Sequence, residues 1–322
     1  MSWQKSLANG FASSSELLAY LNLPTDIVSQ SAHEQFKTRV PRGFAELMES
    51  GNPVDPLLMQ VLATHAEMIH YDEFVPDPLA ERAYNAKSGL LHKYHGRVLL
   101  TVVGACAINC RYCFRRHFPY HENNPGRAGW DKVFSHISED NTINEVILSG
   151  GDPLLANNDL LAFIIDGIRQ IPHITTLRFH TRIPIVLPER IDKGLVMLLK
   201  HCDLNKVVVV HSNHPNELDH RAAIALKGLR GTGCHLLNQS VLLKGVNDCA
   251  NTLAELSRQL FSCGALPYYL HVLDKVAGAG HFDIQLAEAK QIFKQLQALL
   301  PGYLVPRLAQ EIAGQPNKTL II

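Results

Sequence analysis

Residues 97–113 read RVLLTVVGACAINCRYC. The first half is an apolar, β-branched run suited to a buried strand. The second half places Cys106, Cys110 and Cys113 on one short loop, in a C-x3-C-x2-C pattern. Thiolates grouped this closely are ligands for a soft metal. A structural zinc site closes with four protein ligands, and this loop supplies three. A [4Fe-4S] cluster held by three cysteines keeps one iron open to a small molecule, so the spacing points to catalysis. The residues alone leave another reading open, a zinc loop that borrows its fourth ligand from Cys202, Cys234, Cys249, Cys263 or one of the 17 histidines.

Outward from this loop the chain alternates short β-branched runs with helical stretches. Strands are predicted at residues 97–103, 145–150, 176–182, 206–212, 235–243 and 266–273. Helical patterns occupy residues 159–171, 189–202, 216–233 and 247–264. Strands recurring every 30 residues or so with helices between them imply a parallel sheet with right-handed crossovers. That pattern does not separate an open, doubly wound sheet from a partial barrel. Residues 1–95 read as an N-terminal helical region without strands, and Ser13-x-x-Glu16 has the form of a capping box. Further helices are expected through residues 34–39, 41–50 and 56–69. The βα unit is expected over residues 96–275 and a docked C-terminal segment over 276–322. That segment begins with an amphipathic helix at 283–302, with Asp283 as N-cap and Gly302 past its end.

Composition narrows the function. The 322 residues are 46% hydrophobic and 19% charged, with a formal net charge of zero. A balanced charge argues against binding nucleic acid or an acidic membrane surface through bulk electrostatics. No secretory leader and no membrane span is legible. Seven cysteines at irregular spacing suit a reducing, cytoplasmic compartment. Parallel α/β folds gather their chemistry at the carboxyl ends of the strands. Those ends carry the cysteine loop, then Ser149, Gly150, Gly151, Asp152 and Pro153, then His211, Asn213 and His214, then Asn238 and Gln239, then His271 and Asp274. Each alone reads equally well as a turn or a satisfied polar group, but their shared placement suggests a common pocket.

The cysteine pattern after the first strand of a βα series, with Tyr112 before the third cysteine, resembles radical S-adenosylmethionine enzymes. SGGDPLL at 149–155, TRIPIVLPERI at 181–191, HSNHPNE at 211–217, NQSVLLKGVND at 238–248 and YYLHVLDKVAGAGHF at 268–282 resemble the lysine 2,3-aminomutase family. The likeness runs from about Leu90 to Lys318. HKYHGRVLL and CFRRHFPY resemble the short branch that supplies β-lysine to elongation factor P. The resemblance implies an α/β fold of the partial (β/α)6 barrel type.

It also implies a [4Fe-4S] cluster on Cys106, Cys110 and Cys113, and S-adenosylmethionine beside Tyr112, Ser149, Gly150, Gly151, Asp152, His211 and Gln239. Pyridoxal phosphate is implied on Lys318, with Lys93, Tyr94 and Arg97 near its phosphate. Lys93 stands where the family commonly has Arg. The glycine run before the lysine is reduced to Ala313-Gly314-Gln315-Pro316. Arg115 is implied to hold the carboxylate of L-lysine, and Asp274 and Glu311 its ε-ammonium; the family's lysine enzyme has Asp where Glu311 stands.

The implied reaction moves the α-nitrogen of L-lysine to Cβ, using a 5′-deoxyadenosyl radical and an electron donor. The implied pathway partners are elongation factor P and its lysyl-ligase. Cys249 is present but no cysteine follows Cys263, so a homo-oligomer is expected to lack the family's inter-subunit zinc. The rival readings are an aminomutase for another amino acid such as glutamate, a radical enzyme without pyridoxal phosphate, and a zinc-binding interaction protein.

Overall fold

The computed structural model describes residues 2–123 and 125–321. Its framework is a ten-stranded sheet whose strands lie side by side in chain order. They are β1 (Asn85–Lys87), β2 (Leu90–Tyr94), β3 (Arg97–Val103), β4 (Glu145–Gly150), β5 (Thr176–Thr181), β6 (Asn205–Val210), β7 (His235–Val241), β8 (Leu266–His271), β9 (Arg307–Gln310) and β10 (Thr319–Leu320). β3 to β9 run parallel, while β1, β2 and β10 pair antiparallel at the two ends. The crossovers carry α1 (Gly126–Glu139), α2 (Asn158–Arg169), α3 (Lys193–His201), α4 (His220–Arg230), α5 (Ala250–Ser262) and α6 (Leu286–Leu299).

This order decides between the two architectures that the sequence left open. A doubly wound sheet reverses its strand order part-way. Here the order never reverses, so right-handed crossovers carry every helix to the same face. The other face curls inward, as in a barrel. Period-two alternation then sorts the side chains. Leu177, Phe179 and Thr181 of β5 are buried, whereas Arg178 and His180 turn to the concave side. The same spacing places Arg97 and Leu99, Ile147 and Ser149, Gln239 and Val241, and Tyr269 and His271 on that cavity.

The helices bury apolar stripes against the outer face. In α2, Leu161, Ile164, Ile165 and Ile168 are buried at helical spacing. Asn157, Asp192 and Asp219 cap α2, α3 and α4 by accepting backbone N–H bonds. At the open seam, side chains take the place of a hydrogen-bonded ladder. Lys93 Nζ and Tyr94 OH, at the end of β2, donate to Glu311 Oε1, just past β9, at 2.7 and 2.8 Å. The architecture is the expected α/β partial barrel with N-terminal helices in front of it.

Several local expectations need correction. Residues 85–94 form β1 and β2, so the region before residue 95 is not free of strands. The run at 87–94 alternates too briefly, around Gly89, to read as a hairpin. The expected helices at 34–39, 41–50 and 56–69 are shorter than that: α-helices at Gln30–Gln35, Arg42–Ala45 and Pro56–Met59, with a separate 3-10 turn at His65–Met68. Ser13 is the N-cap of the Ser14–Tyr20 helix, but its side chain makes no capping bond. The last helix begins after Gln285, not Asp283, because Gly280–Phe282 forms a separate 3-10 turn. β9 and β10 are too short to carry a periodic signal, whereas α1 was not among the expected helices although Trp130, Val133 and Ile137 are buried at helical spacing along it. Among the described residues no helix is long and apolar enough to cross a membrane.

Candidate active site

The cysteine loop is held from two sides. From β4, Gly151 N donates to Val103 O at 2.8 Å and Asp152 N to Ala105 O at 2.9 Å. A Cβ on Gly151 would overlap the Ala105 carbonyl, so only glycine allows this approach. From the N-terminal region, Arg39 Nη1 donates to Cys106 O at 3.1 Å, and Asn109 N donates to Arg39 O at 3.0 Å. Arg111 is fully buried and anchors the loop on Glu67 through Nε at 2.7 Å and Nη2 at 2.6 Å. Arg116 Nη2 shares the same carboxylate at 2.9 Å.

Cys106, Cys110 and Cys113 all line a cavity of about 520 Å³. Burial, with the neighbouring thiols adding to it, holds Cys106 well above its usual range and pushes Cys113 up to about 11. A bound metal must therefore displace protons as it enters. None of the other cysteines lines this cavity: Cys202 and Cys234 are buried in the helix-covered core, and Cys249 and Cys263 flank α5. Three thiols of one loop lining a large cavity fit an open-sited cluster rather than a closed zinc site; among the described residues no group of three ligands is gathered tightly enough to hold a single ion.

The side chains named for the nucleoside cofactor gather along this cavity. Tyr112 OH accepts from Asn213 Nδ2 at 2.7 Å, and its ring meets Phe282 edge-on. Ser149 Oγ accepts from Arg115 Nη1 at 3.1 Å. Gly150, with φ at +109°, turns its carbonyl to Tyr120 OH at 2.8 Å. Gln239 Nε2 lies 3.1 Å from His211 Nε2, and burial with nearby Arg182 and Lys318 pushes His211 down to about 3. Asp152 has a structural use. Its carboxylate accepts from Thr181 Oγ1, Arg182 N, Ile183 N and Leu154 N, at 2.7 to 3.2 Å, stitching the loop after β4 to the end of β5. Burial raises it to about 6 against those bonds.

Lys318, just before β10, reaches the same cavity from the far end of the sheet. Its Nζ donates to Glu311 Oε2 at 2.9 Å while Lys93 and Tyr94 hold Oε1. Burial favours protonation of Glu311, but the two ammonium groups outweigh it and keep the carboxyl far below its ordinary range. Asp274 responds oppositely: burial and the Glu311 charge push it up to about 7. Arg97 stacks over the Tyr94 ring at 4.7 Å. His180 Nε2 and His271 Nε2 are buried on the cavity wall, and among the described residues neither has a hydrogen-bond partner. Arg115 is forked onto Glu81, with Nε to Oε2 at 2.7 Å and Nη2 to Oε1 at 2.6 Å.

Known proteins resemble this chain over nearly its whole length. The family described as a 4Fe-4S single cluster domain matches residues 95–211. An L-lysine 2,3-aminomutase of Haemophilus influenzae is 50% identical over 320 residues, covering 99% of this chain and 95% of that protein. The chain belongs to the radical S-adenosylmethionine lysine 2,3-aminomutase family. An L-lysine 2,3-aminomutase of Escherichia coli is 48% identical, covering 98% of this chain and 93% of its own. One from Clostridium subterminale is 32% identical, covering 99% of this chain and 77% of its own.

The aminomutase resemblance did not single out several groups that shape the site. Glu81, Gln60, Arg182, Glu217, Arg178 and His180 all touch the cavity or its lining. Gln60 and Glu217 are fully buried. A lone polar residue inside the apolar run LLMQVLA was the available sign for Gln60. Period-two facing along β5 was the sign for Arg178 and His180. Glu81 lies in a segment with no periodicity, and only the fold brings it to Arg115.

Proposed function

We propose that this chain converts L-lysine to β-lysine with S-adenosylmethionine at the open iron and pyridoxal phosphate on Lys318. The observation that carries the reading is that Lys318 and the three cysteines line one cavity, although more than half the chain separates them. The cavity's polar groups fit a phosphorylated pyridine: an amine at Lys318, cations at Lys93, Arg97 and Arg178, and the unpartnered His180 and His271 nitrogens. When bound, the two cofactors supply the hydrogen-abstracting radical and the π-system that carries the nitrogen between carbons.

The chain's own residues bind and orient the substrate. Arg115 offers a planar fork to a carboxylate once Glu81 gives way. Asp274 and Glu311 offer a cation slot, which Lys318 fills in the free protein. Two neighbouring carboxylates disfavour an acidic side chain and favour an ammonium, so the electrostatics support lysine over glutamate. Tyr112, Ser149, Gly150, Gly151, His211 and Gln239 form the wall for the nucleoside, with Asp152 fixing that wall from behind. The likeness of HKYHGRVLL and CFRRHFPY to the short branch supports elongation factor P and its lysyl-ligase as the downstream users of β-lysine.

The test is chemical trapping. Protein loaded with pyridoxal phosphate is reduced with borohydride, digested and mapped by mass. A pyridoxyl group on the peptide carrying Lys318 is expected. Stoichiometric label on another lysine would sink the assignment.

A further inference from the structure

Arg182 stands at the end of β5 and is 6% exposed. Its two terminal nitrogens divide between two tasks. Nη2 donates to Gln60 Oε1 at 2.7 Å and to Glu217 Oε2 at 3.0 Å. Nη1 donates to Cys110 Sγ at 2.8 Å and to Tyr112 OH at 2.8 Å. The backbone N–H of Arg182 is pinned to the Asp152 carboxylate at 2.7 Å. Glu217 cannot swing to claim the whole fork, because its other oxygen accepts from Gln60 Nε2, Asn213 N and His214 N, at 3.0 to 3.1 Å. A buried guanidinium is therefore locked with one N–H aimed at a sulfur that belongs to the cysteine loop.

We propose that Arg182, held by Glu217 and Gln60, sets the reduction potential of the cluster through its hydrogen bond to the Cys110 sulfur. The proposal rests on the cluster lying on the three cysteines and is independent of the lysine and pyridoxal phosphate assignments. Hydrogen bonds to cluster sulfurs and nearby positive charge stabilise the reduced, more negative state and raise its potential. Guanidinium is charged at every working pH, so the effect is permanent rather than switched. Glu217 opposes it: its buried negative charge partly cancels the guanidinium as seen from the cluster. The two side chains thus act on the potential with opposite sign, which simple packing support would not do.

The experiment is potentiometric titration of the reduced-cluster EPR signal, without S-adenosylmethionine, in wild type, R182K and E217Q. R182K keeps a charge but cannot reach Cys110 and Glu217 together. Its ratio of reduced to oxidised cluster at a fixed potential is expected to fall about tenfold, a midpoint lower by about 59 mV for a one-electron couple. E217Q is expected to shift the midpoint upward. In wild type grown on nitrogen-15 arginine, the reduced cluster is expected to show a nitrogen-15 coupling, absent in labelled R182K. Midpoints in both variants equal to wild type, at equal iron and sulfide content, overturn the proposal. So does a wild-type cluster with no arginine coupling, and that measurement decides alone if a variant cannot hold iron. Iron and sulfide analysis of the wild type reports separately on the cluster itself.

Discussion

Glu311→Gln tests the seam that closes the sheet. The substitution keeps the shape of the side chain and removes its charge. Lys93 Nζ and Lys318 Nζ, at 2.7 and 2.9 Å, then face a neutral amide. Their side chains are 9% and 24% exposed, and Glu311 is 14% exposed. Breaking a buried pair by removing one partner costs about 3–5 kcal/mol. Lys318 retains partial solvation and Tyr94 OH can still donate to the amide oxygen, which selects the lower end, about 3 kcal/mol. A chain of 322 residues has an unfolding entropy of about 0.7 kcal/mol/K. The melting temperature should therefore fall by about 4 °C in a calorimetric scan.

The pH dependence follows from the sign of the shift. Glu311 is depressed in the folded protein, so its contribution is full above the unfolded carboxylate range and is lost as pH falls towards the folded value. The gap between wild type and variant should not narrow from pH 8 to 6, where it changes only through Asp274, whose titration Glu311 also raises, and should narrow only in strong acid. A melting temperature within 1 °C or so of wild type would refute the reasoning, as would a gap that closes between pH 8 and 6.

Three further outcomes follow from the same geometry. Asp274, pushed up to about 7, must be ionised to receive an ammonium, so kcat/KM for L-lysine should fall about tenfold per unit below pH 7; in Asp274→Asn a pH–rate profile should lose that limb. Gly151→Ala should force the β4 loop away from the Ala105 carbonyl and lower iron and sulfide per chain after reconstitution, and a full complement would contradict the close-approach argument. Glu81→Gln should loosen the fork on Arg115 and lower KM for lysine by roughly tenfold, about the worth of one charge-assisted hydrogen bond; steady-state kinetics showing a raised KM would mean that Glu81 aids substrate binding instead.

Of the strands that form the barrel, β3, β4 and β6 were legible as short, nearly continuous apolar runs, the pattern that covering on both faces imposes. β5 and β7 were legible by alternation, with polar side chains turned to the cavity. The cysteine loop was legible because three like ligands at fixed spacing have few other uses. The seam was not legible. β9 and β10 are four and two residues long, too short to carry a period. The Lys93–Glu311 pair joins residues 218 positions apart, and nothing local to either one announces the other. The same holds for Glu81 on Arg115 and Gln60 on Arg182: buried polar partners are chosen by the fold, and the sequence shows only isolated polar residues in apolar surroundings. Asp152 illustrates a mixed case. It lines the cavity, where its place in SGGDP suggested a ligand contact, and its carboxylate also accepts from donors at the next strand's end.

The central claim is that one cavity holds a three-cysteine cluster and a lysine-borne cofactor acting together on L-lysine. Anaerobic incubation with L-lysine, S-adenosylmethionine, pyridoxal phosphate and a reductant, followed by chromatographic resolution of the lysine isomers, tests it most directly. β-Lysine should accumulate with the wild-type chain and be absent with Lys318→Ala and with Cys110→Ala. Cluster-loaded, pyridoxal-bound protein that turns over no lysine, or a Lys318→Ala variant that still forms β-lysine, would contradict the account.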